Sequence, residues 1–158
     1  MHARAEEFVT EATERYDLDP TVQEFPEGTK TAADAAAAIG CPVGAIVSSL
    51  VFVVDGEPVV ALTSGANRVD ESRLADHFGV DPDAVAMADA DTVREVTGWA
   101  IGGVPPICHT AENPTLMDPA LLDYDTVWAA AGTPTTVFEV DPERLRELAE
   151  ATVADVTA

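Results

Sequence analysis

The stretch AIVSSLVFVVDGEPVVALT, residues 45–63, decides the fold. It contains two apolar runs rich in β-branched residues, 45–54 and 58–63, which flank Asp55-Gly56. Asp-Gly between two such runs is a strong sign of a β-hairpin, because these residues tolerate the positive φ angles that a tight turn requires. We therefore predict two antiparallel strands joined at Asp55-Gly56.

Periodicity and end signals predict helices and further strands around this hairpin. The predicted helices span residues 3–15, 32–39, 70–78, 89–97 and 142–149, and a short turn or helix is predicted at 119–122. Further strands are predicted at 22–25, 84–87, 115–117, 126–130, 135–140 and 153–156, with a turn at 26–28. Because hairpins dominate and no strict βαβ alternation is present, we expect a single α+β domain over residues 1–158, with helices flanking a mostly antiparallel sheet.

The charge of the chain is strongly negative. Against 29 acidic residues it has eight basic ones, of which Lys30 is the only lysine, so the net charge is −21. At molar salt the Debye length falls to about 3 Å and this repulsion is largely screened, so we interpret the charge as adaptation to a salt-rich cytoplasm. No apolar run approaches the roughly 20 residues of a membrane span, and the N-terminus is polar. We therefore expect a soluble, cytoplasmic protein with no membrane partner.

The cysteines and histidines suggest neither a disulfide nor a metal site. Cys41 and Cys108 lie far apart and form no C-x-x-C pair, and the three histidines show no metal-ligand spacing with them. We expect free thiols, no structural metal and no cofactor. Cys108 is a candidate nucleophile, and the alternative is a buried, inert thiol.

The segment IGGVPPICH, residues 101–109, is the strongest candidate for chemistry. Adjacent glycines let a backbone bend sharply and approach a ligand, and the two prolines after them stiffen the rest of the loop. We predict that the amides of Gly102, Gly103 and Val104 converge on a carbonyl or anionic oxygen. His109 is the best general-base candidate. The alternative for the whole segment is a tight turn followed by an exposed loop histidine.

Two serines interrupt the first strand of the hairpin. Ser48 and Ser49 point to opposite faces because side chains alternate along a strand, so one of them should face a pocket. Such a hydroxyl would hydrogen-bond a substrate amine or a water; the alternative is a satisfied serine inside a sheet. A serine nucleophile is not expected, since no His-Asp arrangement accompanies either residue.

The order of several segments resembles the YbaK/ProX family of aminoacyl-tRNA editing domains, also called prolyl-tRNA-synthetase-associated domains. The resemblance covers residues 20–155, and no single motif decides it. The segments are TAADAA at 31–36, IVSSLVF at 46–52, TSGANRVD at 63–70, TG at 97–98 leading into IGGV at 101–104, and AAG at 130–132.

The resemblance implies a curved, mostly antiparallel sheet around a pocket and hydrolysis of the ester between a wrong amino acid and tRNA. The partners would be the 3′ end of an aminoacyl-tRNA and an aminoacyl-tRNA synthetase, and the substrates small residues such as alanine or cysteine on proline tRNA. The alternative is a non-catalytic module on the same fold that binds the tRNA end or a synthetase. Many members carry a substrate-positioning lysine where this chain has Ser48, some carry a small polar residue there, and Pro105 replaces a common serine in the glycine loop.

Four further residues are candidate substrate contacts. Arg68 is a candidate for a phosphate of the tRNA 3′ end, the alternative being an ordinary surface arginine. Gly132 lies in the second predicted hairpin and is expected to border the pocket or to serve only as a turn glycine. Ser49 and Ser64, in the segments that resemble the family, complete the predicted substrate-binding set, beside the predicted catalytic set of Ser48, His109 and the three loop amides.

Overall fold

The computed structural model describes residues 3–25 and 31–158, which form one eight-stranded sheet with five α-helices. The helices are α1 Ala3–Tyr16, α2 Ala32–Ile39, α3 Glu71–Phe78, α4 Ala90–Thr97 and α5 Pro142–Ala149. The strands are β1 Val22–Glu24, β2 Ile46–Val54, β3 Glu57–Ser64, β4 Val85–Met87, β5 Thr115–Met117, β6 Val127–Ala130, β7 Thr136–Val140 and β8 Thr152–Val153. No helix in the described part of the chain has the length and apolar character that a bilayer crossing requires.

The predicted hairpin is the longest strand pair. β2 and β3 pair antiparallel over eight positions, and both Asp55 (φ 50°) and Gly56 (φ 81°) have the positive φ of the predicted turn. The sheet runs β1-β7-β6-β2-β3-β5-β8, with β4 added to β2. Three pairings are parallel, β2 with β6, β3 with β5 and β5 with β8, and the others are antiparallel. The expected α+β fold with a mostly antiparallel sheet is confirmed.

Side-chain alternation along the strands builds a core on each face of the sheet. Val51 of β2 and Phe138 of β7 face a core that also contains Phe8 of α1, Val93 of α4 and Leu145 of α5. The opposite face carries α3 and α2, which pack in two smaller apolar clusters. The helices therefore lie in two layers, α1, α4 and α5 on one side of the sheet and α2 and α3 on the other.

The sheet is split beside β2. One edge of β2 pairs with β3 throughout, whereas the other edge pairs with β6 at Ile46 and Val47 and with β4 from Phe52 to Val54. No strand of the described chain pairs with residues 48–51 on this second edge. The sequence does not predict this split, because it depends on which strands lie next to β2.

Most predicted elements agree with the structure to within two residues. The exception is the last strand, expected at 153–156: β8 ends at Val153, after which Ala154 N donates to Met117 O and Thr157 bridges to Val69. The chain leaves β5 at this point to cover the start of α3. The turn predicted at 26–28 lies outside the described residues.

Asp118 is a buried carboxylate that ties β3 to the turn after β5. Its Oδ2 accepts from Ser64 N at 3.1 Å and from Asn67 Nδ2 at 3.0 Å, and its Oδ1 accepts from Ala120 N at 2.9 Å. All three donors would lose their partner if the carboxylate were removed, and unsatisfied buried donors are costly.

We predict that Asp118→Ala lowers the free energy of unfolding by about 3 kcal/mol or more. Urea denaturation monitored by circular dichroism measures this. Asp125→Ala, at an exposed aspartate, is the matched control and should cost less than about 0.5 kcal/mol. Equal effects of the two substitutions would contradict the assigned role of Asp118.

Candidate active site

A cleft of about 230 Å³ occupies the split in the sheet. Its walls come from α2, from β2, from β4 and α4, from the glycine loop after α4, and from the β6–β7 hairpin. None of the described lining residues is charged. They are Thr31, Ala32, Ala35, Ile46, Val47, Ser48, Ser49, Leu50, Val51, Met87, Ala88, Val93, Ile101, Gly102, Val104, Ala130, Pro134, Thr136 and Val137.

Both serines of β2 line the cleft, although they belong to opposite faces of the sheet. Ser48 lies on the face of Ile46, toward α2, and Ser49 on the face of Val47 and Val51, toward α4. Alternation alone would bring only one of the two serines to a pocket. Because the split opens the sheet to both layers, both of them line the same cavity. Ser49 Oγ is buried and has no hydrogen-bond partner within residues 3–25 and 31–158.

The glycine loop reaches the cleft through a tight turn. Gly103 N donates to Ala100 O at 3.0 Å, and Gly102 has φ 90°, as the third residue of a type II turn requires. The Gly103 amide is therefore used inside the protein, and Gly103 does not line the cleft. A Cβ on Gly103 would lie 2.8 Å from Thr133 Cα, so its role is close packing on the β6–β7 turn. This corrects the expectation that all three amides are free.

The amides on either side of Gly103 remain available. Among the described residues, neither Gly102 N–H nor Val104 N–H has a hydrogen-bond acceptor. Both residues line the cleft. The structure thus places Ser48 and the two residues that carry these amides around one cavity.

Trp99 fixes the base of the glycine loop. Its buried indole donates from Nε1 to Cys108 O at 2.9 Å, which closes the loop. The guanidinium of Arg4 on α1 stacks 4.1 Å above the ring and donates to Gly98 O, and Phe8 meets the ring edge-on. Helix α1 therefore holds the loop against the sheet.

His109 lies outside the cleft. It lines a second, wider hollow of about 710 Å³ that shares no lining residue with the cleft. Its Nε2 is 2.7 Å from Pro105 O, and because a carbonyl only accepts, this nitrogen carries the proton. Cys108 is buried next to it, and burial raises the pKa of its thiol to about 12. The structure brings neither side chain to the two free amides, so we assign neither to the reaction.

Three predicted substrate contacts also lie away from the lining. Ser64 is buried, and its Oγ donates to Gly44 O at 2.7 Å, so it ties the end of β3 to the segment before β2. Gly132 packs beneath α1, where a Cβ would lie 2.8 Å from both Arg4 O and a ring carbon of Trp99. Arg68 is exposed on the loop that follows β3, and its phosphate contact stays a prediction.

Several exposed residues form the rim of the cleft and were not predicted from the sequence. Thr31, Met87, Ile101 and Pro134 are exposed and line the cleft, with Met87 54% and Ile101 55% exposed. An exposed methionine in a predicted strand carries no local sign of function, because its position at the rim follows from β4 pairing with β2. Within the described ranges, no three His, Cys, Asp or Glu side chains group as metal ligands.

Burial lowers the pKa of His109, and the nearby charge of Arg15 lowers it further; the hydrogen bond to Pro105 O and the charge of Glu11 act in the opposite direction. The unfolded chain, with an ordinary histidine pKa of about 6.5, then binds more protons than the folded protein as the pH falls below that value. We predict that the free energy of unfolding is highest above about pH 6.5 and falls as the pH drops toward the lowered pKa of His109.

Urea denaturation between pH 8 and pH 5.5 measures this dependence. His109→Gln should flatten it, whereas His77→Gln, at an exposed histidine, should leave it as in the wild type. The same slope in the wild type and in His109→Gln would show that His109 is not the group responsible.

The chain is similar in sequence and in fold to several known proteins. An uncharacterized protein of Bacillus subtilis (strain 168), YwhH, is 28% identical over 134 residues, which are 84% of this chain and 83% of that protein. A proline–tRNA ligase of Geobacter sp. (strain M21) is 35% identical over 118 residues, which are 75% of this chain but only 20% of the ligase. The crystal structure of a proposed trans-editing enzyme for prolyl-tRNA synthetase superposes with a TM-score of 0.93 and 39% identity, covering 100% of this chain and 99% of that one.

A family model settles the relationship. The model of the aminoacyl-tRNA editing domain matches residues 26–148, which include α2, the split strand β2, the glycine loop and the β6–β7 hairpin. The resemblance noted in the sequence is thereby confirmed, and the chain belongs to the aminoacyl-tRNA editing domain family.

Proposed function

We propose that this chain is a trans-acting deacylase that hydrolyses the ester of a small, wrongly attached amino acid, such as alanine or cysteine, on proline tRNA. Membership of the editing-domain family and the similarity to a proposed trans-editing enzyme support this role. The similarity to one segment of a proline–tRNA ligase supports proline tRNA as the carrier. The single observation that carries the proposal is the cleft whose lining is uncharged and largely apolar and includes two residues, Gly102 and Val104, whose amides have no acceptor within residues 3–25 and 31–158.

The size of the cleft favours a small amino acid. An apolar cavity of about 150 Å³ accepts benzene, and pockets for drug-sized ligands begin near 300 Å³. At about 230 Å³ the cleft suits one small aminoacyl group and not a nucleotide with it. The ribose and base would therefore stay at the exposed rim, beside Met87 and Ile101.

The chemistry assigned to the cleft is attack of water on the ester carbonyl. The water oxygen bonds to the carbonyl carbon, and negative charge develops on the carbonyl oxygen. The N–H groups of Gly102 and Val104 stabilise that charge, and one such donor contributes about 3 kcal/mol in related sites. The bond to the ribose oxygen then breaks, and the proton lost by the water reaches that oxygen through solvent. Ser48 would hold the attacking water.

One observation favours a second function. The described lining of the cleft contains no histidine, carboxylate, lysine or arginine, so it offers no general base. A module that binds the 3′ end of tRNA, or a synthetase, without hydrolysing the ester would need none. Activity measurements separate the two functions.

We predict that the protein accelerates ester loss from alanyl- or cysteinyl-tRNA specific for proline, and acts at least about 10-fold more slowly on the prolyl form. The reason is shape, because the prolyl ring joins the side chain to the α-nitrogen and so presents a different outline to the cleft than an open alanyl or cysteinyl group. The measurement follows labelled amino acid on the tRNA, in molar salt, with and without protein. Binding of the charged tRNA without faster ester loss for any amino acid would favour the binding module.

The glycine loop offers a test of the site. Gly103→Ala places a Cβ 2.8 to 3.0 Å from main-chain atoms of Thr133, so the loop must move and carry the amides of Gly102 and Val104 with it. We predict a fall in kcat/KM of about 10²-fold, the size expected for a displacement near 1 Å.

The matched control for this variant is Gly79→Ala. Gly79 has a positive φ, 69°, as the left-handed cap of α3. It has open space around it and does not line the cleft. The Gly79→Ala variant should lose about 1 to 2 kcal/mol of stability and keep its activity under folding conditions. Wild-type activity in Gly103→Ala would show that the glycine loop is not the oxyanion site.

A further inference from the structure

The main chain of Ser49 points into the split of the sheet. Ile46 O accepts from Gly65 N at 2.8 Å, so the peptide groups of Ile46 face β3. Along a strand paired antiparallel, these groups alternate between its two edges, which directs those of residues 47, 49 and 51 away from β3. Val51 O confirms the alternation, because it accepts from Ala88 N at 3.0 Å beyond β4.

The residue opposite Ser49 shows the same pattern. Leu62 of β3 pairs with Ser49, and Leu62 O accepts from Asp118 N at 2.8 Å on the far side of β3. The two residues thus form a non-hydrogen-bonded pair. Since β6 pairs with β2 only as far as Val47 and β4 pairs from Phe52, no strand of the described chain reaches the N–H and C=O of Ser49.

These two groups stand at the floor of the cleft. Ser48, Ser49 and Leu50 all line it although their side chains alternate between the two faces, as expected where the edge of β2 itself borders the cavity. The cleft has no charged side chain among its described lining residues, so polar recognition of a ligand relies on hydroxyls and main-chain groups. A buried main-chain donor and acceptor without partners are costly, and a ligand that pairs with both is correspondingly favoured.

We propose that the aminoacyl group of the substrate binds as the missing strand residue opposite Ser49. Its α-amino group donates to Ser49 O, and its ester carbonyl accepts from Ser49 N–H, the exchange of two hydrogen bonds made by a close pair in an antiparallel sheet. A carbonyl oxygen has two lone pairs, so the same oxygen can also accept from one glycine-loop amide, and the third lone pair of the tetrahedral oxyanion accepts from the other. The inference rests on the proposed function, since it places that substrate in the cleft.

In this mode of binding, the groups that hold the aminoacyl group differ from those that select its side chain. The α-amino group and the ester carbonyl are common to all aminoacyl-tRNAs, so Ser49 holds any of them in the same register. Selection then falls to the walls that receive the side chain, where Val51, Val93 and Val104 are buried. A substrate without the α-amino group loses one of the two bonds and binds more weakly.

Amide hydrogen exchange measured by NMR tests the proposal directly. The ligand is 3′-deoxy-3′-(L-alanylamino)adenosine, in which an amide replaces the labile ester, and its propionyl counterpart, which lacks the α-amino group, is the matched control. In the free protein the amide of Ser49 should exchange at least about 10²-fold faster than those of Ser48 and Leu50, which face β3. Saturation with the alanyl ligand should slow the exchange of Ser49 at least about 10-fold, and the propionyl ligand should bind at least about 10-fold more weakly.

Each other result has a defined meaning. An amide of Ser49 already protected in the free protein would overturn the inference. Chemical-shift changes at Gly102 and Met87 without protection of Ser49 would overturn it while leaving the proposed function intact. No shift at any residue of the cleft at millimolar alanyl ligand would overturn both.

Discussion

The unequal pairing of β2 is the constraint on which the site depends. The strand is paired with β3 from Val47 to Val54, which fixes its position, while on its other edge the described chain supplies partners only at the two ends, β6 and β4. A sheet can keep such an interruption only if the layers above and below it hold the flanking strands in place. Here the larger core holds β6 and β7 together with α4, and the opposite layer holds β4 and α3. The cleft is therefore a product of the fold and not a depression between loose loops.

The glycine loop depends on a helix that precedes the segment matching the family model. Helix α1 contacts the loop at both ends: Arg4 covers Trp99 and binds Gly98 O, while Tyr16 Oη accepts from Cys108 N at 3.2 Å and Arg15 donates to His109 O at 3.0 Å. Gly132 lets the β6–β7 turn pack under the same helix. Two elements remote in sequence thus hold the two ends of the loop that carries Gly102 and Val104, and preorganised donors are what makes an oxyanion site effective.

Local sequence patterns predicted the elements of this fold well and the site in part. The hairpin at Asp55-Gly56 and the predicted helix ends at residues 39 and 97, each followed by a glycine in the sequence, depend on residue chemistry at single positions, which is why they were predictable. Strand order depends on pairings between residues that are far apart in the sequence. The split beside β2 was therefore not predictable, and neither was the presence of both Ser48 and Ser49 in one cleft. Proximity in sequence placed His109 beside the glycine loop, yet Cys108, with φ 68°, turns the chain so that His109 enters the second hollow.

Under the proposed function, Ser48 and the charge of −21 affect different parts of tRNA recognition; the resemblance implies a lysine at the position of Ser48 in many relatives. A lysine in the cleft would attract the phosphate-bearing end of tRNA as a point charge, and molar salt would screen much of that attraction outside the cavity. Main-chain amides carry partial charges, and salt does not screen their interactions inside a desolvated cleft. No substitution other than proline removes such an N–H group. The acidic surface repels the phosphates of tRNA, so under the proposed function affinity must come from short contacts at the 3′ end. An uncharged cleft whose polar groups are hydroxyls and main-chain atoms meets that requirement without a lysine.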